Sequence, residues 1–70
     1  MKEIEISEEP IELYKILKFE NLVASGGEAK HVISQGLVMV NGEIETRKGQ
    51  KIYSGDVVEL GGDKFCIRIK

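Results

Sequence analysis

Arg47, Lys48 and Lys51 lie within one glycine-containing stretch, Thr46-Arg47-Lys48-Gly49-Gln50-Lys51. Cations spaced like this on a projecting loop can follow a run of phosphates, because such contacts position a nucleic-acid backbone without reading its bases. The same pattern also fits an ordinary solvated loop. Lys30 is a second candidate cation, on the flank of a helix beside its apolar stripe, where a lysine either contacts a ligand or snorkels past the core. Little else in the chain suggests chemistry. The single histidine, His31, and the single cysteine, Cys66, make neither a zinc-type ligand set nor an internal disulfide. There is no nucleophile with a base beside it and no carboxylate dyad, so no catalytic residue, metal or cofactor is expected.

The elements that must position these cations can be read from periodicity and punctuation. Ser25 followed by Glu28 is a capping box, with the serine hydroxyl accepting from the N–H of residue 28 and the glutamate reaching back to the N–H of residue 25. A helix of about two and a half turns should start there. Ala29, Val32 and Ile33 form its apolar stripe, and Gly36 supplies the left-handed residue past its end. His31 points about 200° away from Ala29, which makes it a surface histidine that can touch a ligand but should not catalyse. Leu37 to Val40 reads as a strand, Asn41-Gly42 as a type I′ turn, and Glu43 to Thr46 as the returning strand.

Around this centre, Lys2 to Ile6 alternates with period two as a half-buried strand. Pro10 fits a first helical turn, and Leu13, Ile16 and Leu17, continued by Phe19 or Leu22, predict a first helix over about 10–19. Val57 to Leu60 and Phe65 to Ile69 read as strands joined by Gly61-Gly62-Asp63, with Phe65, Ile67 and Ile69 facing one way. Lys64, Arg68 and Lys70 on the last strand answer Glu3 and Glu5 on the first, so the two strands should be neighbours and these cations poor phosphate ligands. Gly26 and Gly27 each cost about 1 kcal/mol relative to alanine inside a helix. Either an anion approaches that bare helix start, or the first helix packs closely on the glycines. Tyr14 and Tyr53 could stack on bases but are read as packing residues.

Ser25, Ala29, Val32-Ile33, Gly36, Val38, Val40 and Asn41-Gly42, with Leu13, Leu17, Asn21-Leu22 upstream and Ser54-Gly55-Asp56-Val57-Val58 downstream, resemble the ribosomal protein S-four-type RNA-binding domain, or alpha-L motif. The likeness covers residues 11 to 60. Ser-Gly-Gly and the basic stretch after the hairpin look like the small bacterial stand-alone members. The resemblance implies an α+β fold of two short antiparallel helices on a small, mostly antiparallel sheet of four or five strands. It implies a non-enzymatic domain that binds structured RNA, ribosomal or transfer RNA, through Lys30, Arg47, Lys48, Lys51, Gly26, Gly27 and His31. One departure stands out: the family arginine after the capping serine is here Gly26. The alternative is a protein-interaction module on the same scaffold.

Composition sets the outer bounds. Seventy residues, 41% hydrophobic and 31% charged, suit one soluble globular domain, 1–70, acting as a monomer. No apolar run nears the roughly 20 residues of a membrane helix and no signal-peptide core opens the chain, so a cytoplasmic protein is expected. Net charge is −2, but residues 1–29 carry seven acids and three lysines while residues 30–70 carry five acids and seven bases. A local basic footprint is therefore compatible with the acidic total.

Overall fold

Alternation of isoleucine with acid in β1 (Lys2–Ile6) puts Ile4 and Ile6 on one side, where both are buried. The computed structural model describes residues 1–70. After a short extended segment, β2 (Ile11–Glu12), come helices α1 (Leu13–Phe19) and α2 (Gly26–Ser34). Five strands follow: β3 (Val38–Val40), β4 (Glu43–Ile44), β5 (Lys51–Ile52), β6 (Val57–Leu60) and β7 (Asp63–Ile69). The main sheet has the order β1-β7-β6-β3-β4, with β1 parallel to β7 and every other pair antiparallel; β2 and β5 make a separate two-stranded ribbon. The architecture is thus the expected α+β one, two helices on a mostly antiparallel sheet.

The helices cover one face of the sheet. Leu13, Ile16 and Leu17 from α1 and Ala29 and Ile33 from α2 meet Ile4, Ile6, Val38, Ile52, Val58, Phe65 and Ile67 in a core that contains no buried polar side chain. Full burial of each of the larger aliphatic side chains contributes roughly 1.5–3 kcal/mol, which is what holds a chain of this size together. Lys18 lies against the start of α2 at Gly26, and Lys30 of α2 lies over Tyr14 at the start of α1. The two helices therefore run antiparallel. No helix is long and apolar enough to cross a membrane.

Several expectations shift at element ends. The first helix begins at Leu13 rather than near residue 10, because Ile11 and Glu12 are drawn into extended pairing with Ile52 and Lys51. Pro10 therefore stands outside the helix. Phe19 does not extend the buried face but is 62% exposed, while Leu22 packs partly against the core. Leu37 precedes β3 and is exposed, and the returning strand ends at Ile44, with the Glu45 N–H making one further hydrogen bond to β3 at the Val38 carbonyl. Ile69 shares the alternation of Phe65 and Ile67 but lies at the end of the sheet, 47% exposed.

The first and last strands do pair, yet only one of the three proposed cations answers an acid of β1: Arg68 bridges Glu3. Lys64 stands across from Glu59 on β6, and the Lys70 backbone N–H donates to the Ile6 carbonyl at 2.8 Å. Parallel register places Glu3 beside Cys66 and Glu5 beside Arg68, which leaves Lys64 and Lys70 at the ends without a facing carboxylate on β1.

The hairpin turn falls at Asn41 and Gly42, both with positive φ (52° and 84°) as a type I′ turn requires. It is tied to a second turn. The Asn41 side chain donates to Asp56 Oδ1 at 3.0 Å and accepts from the Val57 N–H at 2.8 Å, while Asp56 Oδ2 accepts from the Tyr53 N–H at 2.8 Å. A β-branched residue cannot adopt Gly42's conformation without strain. Gly42→Val is expected to destabilise the domain by about 1 kcal/mol or more, lowering the midpoint of a thermal melt by roughly 4–8 °C.

Candidate nucleic-acid interface

Glu12, the residue before helix α1, supplies no side-chain cap. The helix's first free N–H groups, those of Leu13 and Tyr14, instead donate to the carbonyls of Gln50 and Lys48 at 2.9 and 3.2 Å. The connection between β4 and β5 is consequently folded over the start of α1. This corrects the expectation of a projecting loop, since uncapped helix donors must find acceptors somewhere. It also fixes Lys48 next to Tyr14.

Tyr14 is half-buried, and Lys30 Nζ reaches over its ring at 4.9 Å from the centroid, within cation–π range. At the other end of the helix pair, Lys18 Cδ lies 3.8 Å from where a side chain on Gly26 would start. Lys18 and Lys30 thus border one side of the helix pair, and the backbone of Lys48 meets them at its Tyr14 end. All three are exposed, and none is in an ion pair. Lys18 reaches over the position where the family pattern has its arginine.

Arg47 is different. Its Nε and Nη2 donate to the two carboxylate oxygens of Glu45 at 3.0 and 3.1 Å, and its backbone N–H donates to Oε2 at 2.9 Å. These hydrogen bonds, with the guanidinium charge, hold the Glu45 carboxyl below its ordinary 4.5 and raise Arg47 above its usual value. Glu45 is itself anchored, donating its N–H to the Val38 carbonyl at 2.9 Å. Arg47 is therefore committed to bending the chain after β4 and is not the free cation the sequence implied. Lys51, on β5 opposite Glu12, lines a groove on the β1 side of α1 together with Glu12 and Lys15, apart from Lys30.

The remaining candidates sit along α2. Ser25 Oγ accepts from the Glu28 N–H at 3.1 Å, as the capping box requires, but the Glu28 carboxylate accepts from the Ala24 N–H at 2.7 Å rather than from that of Ser25. Side chains added at Gly26 or Gly27 would meet nothing closer than 3.8 Å, so close packing of α1 does not explain the two glycines. His31 is exposed in the last turns of the helix, and Tyr53 is half-exposed rather than packed. Tyr14 packs partly against the core, as the sequence reading expects, whereas Lys18 was missed. The i, i+4 spacing of Tyr14 and Lys18 on one helix was the available signal.

A family model described as the S4 domain matches residues 4–69. The chain belongs to the S4-domain family. It is 46% identical over 59 residues to a Bacillus subtilis (strain 168) protein named as a probable ribosome maturation protein, RlbA, covering 84% of this chain and 83% of that one. The solution structure of YbcJ from E. coli, described as revealing an alpha-L motif involved in RNA binding, superposes with a TM-score of 0.73 at 36% identity, covering 97% of this chain and 87% of YbcJ. Tyrosine–tRNA ligase of Bordetella pertussis (strain Tohama I) is 38% identical over 71 residues, which is all of this chain but 17% of that enzyme. The S4 domain thus occurs both in small proteins and as a minor part of a large one.

Two outcomes check this geometry. The Glu45 carboxylate stabilises the fold in full above its ordinary pKa of 4.5 and loses that contribution as pH falls through its depressed value. Arg47→Gln is expected to move the Glu45 side-chain titration, followed by NMR, back up towards the ordinary value. Gly26→Ala, which has room and a helical backbone, is expected to stabilise the domain by about 0.4–1 kcal/mol in a thermal melt.

Proposed function

We propose that this S4 domain is a non-catalytic, cytoplasmic RNA-binding protein that grips the backbone of structured RNA, ribosomal or transfer RNA, along the ridge of Lys18, Lys30 and Lys48. The observation that carries the reading is that Lys18 and Lys30 border one side of the antiparallel helix pair, that the loop at Lys48 is bound to its Tyr14 end, and that none of the three is in an ion pair. Family membership supports it, as do the RNA-binding motif described for YbcJ and the ribosome-maturation role that RlbA's name carries. Ammonium groups at a helix surface act as point charges towards phosphates and carry little base specificity, so the ridge reads shape. Gly26 lies beside Lys18 and, with Gly27, leaves the backbone at the start of α2 approachable, while His31 is exposed on the same helix. Arg47 serves indirectly, by holding the loop that carries Lys48.

Three such phosphate contacts imply a salt dependence with a log–log slope of about −2 to −3. Filter binding of a structured ribosomal RNA fragment over a salt series should return that slope. Replacing Lys18, Lys30 and Lys48 with glutamine is expected to flatten it and weaken low-salt binding by roughly 1 kcal/mol per contact, with little change in melting temperature. Replacing Lys64 and Lys70 instead is expected to leave RNA affinity nearly unchanged. Affinity indifferent to salt, or lost only with the second pair, would overturn the assignment.

A further inference from the structure

Between β1 and α1 lies a groove of about 400 Å³ that the RNA reading does not use. Its floor is apolar: Ile4, Ile6, Ile11 and Ile16, closed at one end by Phe19, which is 62% exposed although α1 could have carried a polar residue there. Its rim is acidic, with Glu5, Glu8 and Glu20 exposed and in no ion pair; the fourth rim carboxylate, Glu12, is held by Lys15 at 3.3 Å. Lys15 and Lys51 are the cations at the groove, and both lie towards the Glu12 end.

One wall of the groove is a sheet edge. β1 ends the sheet and pairs only with β7. The Ile6 carbonyl accepts from Lys70 on the β7 side. Because backbone groups alternate direction along a strand, Glu3, Glu5 and Ser7 turn their N–H and C=O groups to the open edge. An open edge beside an apolar floor is what an added strand requires: main-chain hydrogen bonds from the edge and pockets for alternate side chains from the floor. The unpaired carboxylates then select the sign of the incoming chain.

From this we propose that the β1–α1 groove docks an extended, basic polypeptide segment in which apolar residues alternate with lysine or arginine. The segment adds along β1, sets an apolar side chain against Ile11 and Phe19, and places cations beside Glu5, Glu8 and Glu20. The acidic face would repel a nucleic acid, so this partner is a protein. The domain then holds RNA on the α2 side of α1 and a basic chain on the β1 side, and neither site depends on the other.

The test uses the full chain, labelled with ¹⁵N, and a short synthetic peptide of alternating lysine and valine, with its glutamate-for-lysine counterpart as control. Saturable shifts of the Glu5, Ser7, Glu8 and Phe19 amides with the lysine peptide alone are expected. Substituting E5K, E8K and E20K together should weaken that binding roughly tenfold or more. Phe19→Ser, at an exposed position, should weaken it as well. Replacing Lys30 and Lys48 with glutamine should leave peptide binding unchanged while reducing RNA affinity, so the two sites can fail separately. Equal binding of the acidic peptide, shifts confined to other surfaces, groove shifts produced by RNA instead of peptide, or undiminished binding by the charge-reversed variant would each overturn the proposal.

Discussion

The donors at the start of α1 set the terms for the whole helical side of the molecule. A seven-residue helix is far too short to persist alone, and this one has no side chain to satisfy its first N–H groups. The chain meets the need by bringing the Gln50 and Lys48 carbonyls over the helix start, which in turn seats Ile52, fully buried, under the same helix. The Arg47–Glu45 pair bends the chain so that these carbonyls arrive in place. Helix, loop and ribbon are therefore one unit. The position of Lys48 is a by-product of solving a hydrogen-bonding problem in the fold.

Charge is separated by the same arrangement. An overall balance of −2 would argue against phosphate binding if the charges were mixed evenly. Instead α1 acts as a divider, with Lys18 and Lys30 on its α2 side, Lys48 at its start, and Glu5, Glu8 and Glu20 at the groove on its β1 side. At physiological salt the Debye length is about 8 Å, so an incoming phosphate or peptide charge responds mainly to the groups nearest to it. Each face can therefore act with its own sign.

Most of the fold was legible because local signals agreed with tertiary packing. Ser25, Gly36 and Asn41-Gly42 each need a particular backbone state, and the apolar stripe of Ala29 and Ile33 lies under that frame. Residues 10–12 misled because helical spacing from Leu13 runs back to a proline that would suit a first turn. The competing pull there comes from Lys51 and Ile52, far along the chain, which periodicity cannot see. The surroundings of the candidate cations were less legible for a related reason. Arg47 reads as a free loop cation because its partner, Glu45, lies only two positions away, a spacing that signals neither a helical nor a cross-strand pair; Lys18 went unnoticed because its surroundings depend on which residue of α2 packs beside it.

The parallel pairing of β1 with β7 bears on how the domain is made. Lys2 to Ile6 are matched with Phe65 to Ile69, so the first strand of the domain to be synthesised pairs with the last. Until β7 has cleared the ribosomal tunnel, Ile4 and Ile6 have no strand to lie against. The central hairpin and its helices can form on local contacts beforehand, but the sheet closes only once β7 has emerged. Shortening the domain by its final strand would thus leave its earliest-made strand as its stickiest.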